Sequence, residues 1–320
     1  MVDETLEKMA EGLDAKLMEL IEINSREVPY FYEEGVCSIL YIPVEGGELR
    51  IFHHKPENQI TKRPILFAPG LGTSPWTWRY FSLPLIGQGE FYFLETRDKK
   101  SSKFRNRLKA KMTIDKSAED IAKVINHLKL NKKDFVILGT SYCCGVILKG
   151  LIDKKFTAPT IALFDPFVKV QYYRKLISIL RCTPPFIISI LRFILGGIAL
   201  RGEKNKTQLE RGQDMVKEAV TWKWRKVGAN ILNIDIFKQL SMIDEEVLVF
   251  HGTKDKHHPH VLYEKIAKEI PKGRYFFLLS PEEKRELVVG IIGLELGKIL
   301  SQEGIPDTLK PFEKKKSFSL

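Results

Sequence analysis

FVILGTSYCCG, residues 135–145, runs an apolar strand into a glycine, places a serine two residues later and continues into helix-compatible residues. A side chain on so tight a strand-to-helix turn is held in a strained backbone. Large neighbours two positions before and two after would collide across the turn. Gly139 and Cys143 fill those positions with small residues. The free N–H groups at the start of the following helix favour negative charge at the site. Ser141 is therefore a candidate nucleophile, and the competing reading is a serine that only caps the helix.

Outward from this turn, short apolar runs alternate with helical patterns: PILFAPG (64–70), EFYFLET (90–96), the run at 135–140, TIALFDP (160–166), EVLVFHG (246–252) and RYFFLLS (274–280). Continuous apolar strands separated by helices predict an α/β fold, a mostly parallel central sheet with helices on both faces. SILYIPV and ELRIFHHK, joined by EGG, predict a hairpin before it. Leu6, Met9, Leu13, Leu17, Leu20 and Ile21 recur at helical spacing and predict an N-terminal docking helix. The alternation breaks once, after Pro166, where a long helical, apolar and basic stretch predicts a cap or lid insertion. The expected organisation is a helical segment at 1–35, an α/β core at 36–166 and 236–302, a cap at 167–235 and a flexible tail at 303–320.

The 320 residues carry a net charge of +11 with 44% hydrophobic residues, a composition that buries a core and attracts anions. Between residues 171 and 230 there are twelve Lys/Arg against four Asp/Glu, and between 97 and 111 eight against one. With tyrosines and tryptophans interleaved, this rim suits an anionic membrane surface. No nucleic-acid-binding module is recognisable, so nucleic acid is not expected as a partner. The apolar run Pro184–Leu200 is shorter than the roughly 20 residues that span a bilayer and contains Arg192. Cys37, Cys143, Cys144 and Cys182 form no CxxC pair or zinc spacing and read as reduced thiols. With an acidic, amphipathic N-terminus in place of a secretory leader, a cytoplasmic location with peripheral membrane contact is expected. No cofactor and no metal is expected, because adjacent residues such as those of HHPH (257–260) seldom converge on one ion.

APGLGTSPWTW (68–78) follows the first parallel strand and brings glycines that let backbone approach a ligand closely. The Leu71 and Tyr142 N–H groups are the candidate oxyanion donors, and Gly70, Gly72 and Trp76 the candidate substrate contacts. Together with ETRDKKSS (95–102), the elbow, and VLVFHGTKDKHHP (247–259), this stretch resembles the α/β-hydrolase superfamily over residues 36–300. The resemblance implies the α/β-hydrolase fold and a serine hydrolase or acyltransferase acting on a lipophilic ester or thioester. It places the acid at Asp255; Asp165, ending the strand TIALFDP, is an alternative acid or a helix cap before Pro166. The superfamily's base, a histidine after the last strand, is missing: that loop reads LLSPEEKREL, and no histidine follows His260. His257 and His258 are the candidate substitutes. His251, beside Gly252 at a strand end, reads as structural. The alternative function is a degenerate member of the fold that binds a lipid-like ligand, a membrane or a partner.

Overall fold

The structure, a computed structural model, describes residues 12–169, 178, 182–199, 206–252 and 260–314. Its centre is a mixed sheet. The hairpin β1 (Ser38–Val44) and β2 (Gly47–His54) turns at Glu45-Gly46 and lies at one side. β3 (Ile65–Ala68), β4 (Phe91–Leu94), β6 (Val136–Thr140), β7 (Thr160–Phe164), β8 (Val247–His251) and β9 (Gly273–Phe277) follow, with a two-residue strand β5 (Lys103–Phe104) on the edge of β2. With β10 (Glu313–Lys314) at the far edge, the spatial order is β1-β2-β4-β3-β6-β7-β8-β9-β10, parallel from β4 to β9.

Side-chain alternation explains why these strands read as unbroken apolar runs. Leu66, Ile137, Leu163 and Val249 face one layer, and Phe67, Leu138, Ala162 and Phe250 the other, so both faces are buried. The first layer is closed by α2 (Ile114–His127), α3 (Tyr142–Ile152) and α7 (His260–Glu269). Thr113 caps α2 by accepting the Lys116 N–H at 3.2 Å, and Ile114, Ala118, Ile121 and Ile125 then fall on one buried stripe. The second layer holds α1 (Leu13–Asn24), through Leu17 and Ile21, and α8 (Arg285–Lys298), which is buried along almost its whole length. The part of the expected N-terminal helix before Gly12 lies outside the described residues.

Between β7 and β8 the chain forms α4 (Pro185–Ala199), α5 (Lys206–Glu218) and α6 (Thr221–Ile231). The chain's end differs from the tail that composition suggests. Leu309 and Phe312 are fully buried, and β10 (Glu313–Lys314) pairs antiparallel with Tyr275 and Phe276 of β9. Two apolar anchors decide the packing of 303–314, while the charged residues around them dominate its composition.

Candidate functional site

Ser141 sits between β6 and α3 at φ 48°, ψ −117°, a region that non-glycine residues rarely occupy. Such a conformation costs on the order of 1–3 kcal/mol and persists only where the surroundings impose it. Here they do. The Ser141 N–H donates to Phe164 O at 2.9 Å, and Ser141 O accepts from the Cys144 and Phe167 N–H groups at 3.1 and 3.2 Å. A Cβ on Gly139 would lie 2.6 Å from Ile147 Cδ1, so a larger residue there would push the Ile147 side chain aside. The second close approach falls at Gly145, whose Cα faces Phe167 O, and the buried Cys143 tolerates its own slot.

The cap reading of Ser141 finds no support, because its side chain makes no capping hydrogen bond. Nor is either neighbouring thiol a nucleophile. Burial pushes Cys143 up to about 12 and Cys144 well above its ordinary value, so both stay protonated and pack.

Gly70 lies against the serine: a Cβ there would be 3.4 Å from Ser141 Cβ. This sets the 70–72 backbone beside the elbow, and neither the Leu71 nor the Tyr142 N–H meets an acceptor among the described residues. Three groups brace that backbone. Thr140 Oγ1 accepts the Gly70 N–H at 2.8 Å, Lys99 Nζ donates to Gly70 O at 2.5 Å, and Asp98 Oδ2 accepts the Gly72 N–H at 2.9 Å. Lys99 and Asp98 are themselves paired at 2.7 Å and buried. Burial works to raise the Asp98 carboxyl, but the Lys99 charge with hydrogen bonds from Lys99, Thr96 and Gly72 overcomes it and holds the group below its ordinary value. This brace was not readable in the sequence, where Asp98 and Lys99 sit in a basic run that looks solvated.

A cleft of about 300 Å³ opens beside the brace, lined by Gly72, Ser74, Asp98, Lys99, Lys100 and Trp224 among others. Trp224 of α6 packs on the bare face of Gly72. Trp76 stacks under Arg79 at 3.9 Å and lines a second cavity with Glu210, Gln213, Asp214 and Lys217 of α5.

The inserted helices are held over this edge by charged side chains. Lys223 of α6 is buried and donates to the carbonyls of Lys99 and Ser102, and burial lowers it to about 8. Lys226 donates to the carbonyls of Arg107, Leu108 and Ala110 at 2.7–2.9 Å. On α5, Asp214 accepts from Ser74, and Arg211 pairs with Glu286 of α8. Glu286 is almost wholly buried, which strips its carboxylate of hydration. Burial therefore outweighs the pull of Arg211 and Arg79 and raises the Glu286 carboxyl from 4.5 to about 7.

A carboxyl raised on folding binds its proton more tightly in the folded state. Its contribution is full below 4.5 and lost as the pH rises through 7. Wild-type stability should therefore fall between these limits relative to Glu286→Gln, by on the order of 2 kcal/mol, as read from urea midpoints across pH. Parallel pH profiles for the two proteins would refute the raised value.

Asp165 follows β7 at φ 49° and is buried. Its Oδ1 accepts from His251 Nδ1 at 2.6 Å, and Oδ2 pairs with Arg285, the residue that begins α8 after the last parallel strand. His251 stacks on Tyr263, and its Nε2 is buried with no partner among the described residues. Thr140, Phe164 and Phe250 are register partners, so Ser141, Asp165 and His251 occupy the next position on three neighbouring strands. A proton relay needs the imidazole in the middle. Here the carboxylate is in the middle, and a ring that donates Nδ1–H toward β7 turns Nε2 away from it. A cavity of about 20 Å³ touches Asp165, His251, Ser280 and Arg285 and does not reach Ser141. Asp255, His257 and His258 lie outside the described residues. Among those described, no three His, Cys, Asp or Glu side chains converge to hold a metal ion.

No protein-family model matches the sequence, and no curated protein matches it. Solved structures do. A hydrolase from Pseudomonas aeruginosa PA01 superposes at a TM-score of 0.63 with 18% identity, covering 81% of this chain and 98% of that one. A thermophilic esterase from Thermogutta terrifontis gives 0.59 at 18% identity, covering 80% and 96%. An enol-lactonase from Burkholderia xenovorans LB400 gives 0.61 at 17%, covering 78% and 96%. The chain has the α/β-hydrolase fold. At these identities the likeness concerns the fold alone, and the chemistry has to be argued from the site. In an α/β-hydrolase fold the ligand-binding crevice lies at the carboxyl ends of the strands, the edge that here carries Ser141, the 70–72 backbone and the row Asp165–His251.

Proposed function

We propose that this chain is a serine hydrolase or acyltransferase of lipophilic esters or thioesters, with Ser141 as its nucleophile. The observation that carries the reading is the strained, closely held backbone of Ser141, whose side chain makes no cap. Strain of this kind has a use where it aims a hydroxyl at substrate above a helix N-terminus. Ser141 Oγ attacks the acyl carbon, and the carbonyl oxygen takes the negative charge between the Leu71 and Tyr142 N–H groups. A base takes the serine proton and returns it to the departing alkoxide or thiolate. Water or a second acceptor then attacks the acyl-serine.

The base falls to His257 or His258, oriented by Asp255, because the carboxylate-centred row at Asp165 cannot relay a proton from serine to His251. Single replacement of His257 and of His258 by Ala should lower turnover of p-nitrophenyl esters or acyl thioesters about 10²–10⁴-fold in one variant and leave it nearly unchanged in the other. Wild-type rates in both would remove this segment as the source of the base. The lipophilic substrate is inferred from the apolar, basic insertion beside the cleft.

A second reading rests on Arg285. It occupies the Asp165 carboxylate from the loop where the fold usually delivers its histidine, an arrangement suited to a retired site that binds an acyl ligand without turning it over. Turnover lost in Ser141→Ala supports the first reading, and a folded wild type with no activity on any ester or thioester supports the second.

A further inference from the structure

Helix α4, PFIISILRFILGGIA, carries an exposed apolar face. Phe186, Ile190, Phe193 and Ile194 fall at i, i+4, i+7 and i+8 on one face and are 67%, 67%, 57% and 58% exposed. Ser189 and Arg192 are partly buried and tie the helix down, and the Arg192 guanidinium also lies 4.6 Å from the Phe193 ring. Ser189 Oγ bonds to Pro185 O and to Thr221 Oγ1, and Arg192 donates to Ala219 O at 2.7 Å, tying α4 to α6 and its approach. Ile188 and Gly196 lie on the packed side, Gly196 against Val216 of α5. A helix that only packed on the core would bury its phenylalanines and expose its arginine.

Charge indicates what covers this face. From Lys169 to Lys206 the sequence holds eight Lys/Arg and one acid, Glu203, and the whole chain carries +11. In the sequence, Arg174, Lys175 and Arg181 precede this stripe and Arg201, Lys204 and Lys206 follow it. An exposed apolar helix face with basic residues near it in the chain suits the headgroup boundary of an anionic bilayer, where cations meet the lipid phosphates. No helix of the described residues is long and apolar enough to cross a membrane, so α4 would lie in the surface plane. We infer that α4 docks this protein on anionic membrane surfaces through Phe186, Ile190, Phe193 and Ile194. The inference does not depend on catalysis at Ser141.

The test is vesicle flotation of the full chain, without substrate. Phosphatidylcholine vesicles are compared with vesicles containing phosphatidylserine, for wild type and for Phe186→Glu/Phe193→Glu. Both replaced side chains are exposed, so the fold should survive, and circular dichroism checks this. Wild type should float with the phosphatidylserine vesicles, and the double variant should bind them at least about tenfold more weakly. Added salt should weaken the wild-type binding. Wild type that floats with neither vesicle, or a double variant that floats like wild type, overturns the inference. So does a wild-type dimer in sedimentation that the double variant abolishes while vesicles remain unbound, because the face would then belong to a second copy of the chain.

Discussion

Ser141→Ala should abolish acyl transfer, with kcat reduced about 10⁴-fold or more and the fold unchanged. Removing the nucleophile from a serine hydrolase costs nearly everything the whole catalytic group supplies, because the remaining members have no hydroxyl to act on. The fold should tolerate the change. The Ser141 side chain makes no capping bond, and the bonds that fix the turn run through its backbone N–H and carbonyl, which alanine keeps. Alanine occupies a positive φ no more easily than serine, so the stability change should be within about 1 kcal/mol. Ser141→Cys should retain partial activity, since a thiol fits the same turn. Steady-state kinetics on an ester and a thioester decide the matter, with thermal denaturation alongside. Unchanged turnover in Ser141→Ala removes the nucleophile assignment outright.

Lys99→Met should produce the largest loss of stability at the site, about 3–5 kcal/mol by urea unfolding. The substitution strips the partner from Asp98, which is 2% exposed, and leaves a buried carboxylate with only Thr96 and the Gly72 N–H to satisfy it. It also frees Gly70 O. Asp98→Asn/Lys99→Met should recover part of the loss, because no buried charge is left alone. With the Lys99 bond to Gly70 O gone and the Gly72 N–H left to a neutral amide oxygen, the 70–72 backbone is held less firmly. The double variant should still turn over about 10²–10³-fold more slowly, chiefly in kcat, as expected when an oxyanion donor is misplaced. A double variant with wild-type kcat would mean that Asp98 and Lys99 serve stability alone.

These two expectations draw on different kinds of information. The elbow was legible in the sequence because steric necessity at a tight turn restricts residue type locally, and Gly139 two residues before Ser141 signals it. The parallel strands were legible for a related reason. Burial on both faces removes polar residues from Val136–Leu138, Ile161–Phe164 and Val247–Phe250. The brace was not legible. Lys99, Lys223 and Lys226 belong to runs whose composition says solvated surface, yet their ammonium groups bond to backbone carbonyls; for Lys99 that needs the loop after β3, and for Lys223 and Lys226 it needs α6 closed on the 97–111 segment. The pairing of His251 with Asp165 escaped for the same reason. The two are 86 residues apart, and only the order of β7 beside β8 brings them together. Arg285 carried no signal at all: in LLSPEEKREL it is one charge among five, and its role comes from where α8 begins. The two-residue strands β5 and β10 are too short for any periodicity to register.

The most direct test of the central claim, that Ser141 is an activated nucleophile, is labelling by a fluorophosphonate probe followed by peptide mapping. The wild-type chain should be modified at Ser141, and Ser141→Ala should not be modified. A well-folded wild type that resists the probe, or one labelled equally in Ser141→Ala, would contradict it.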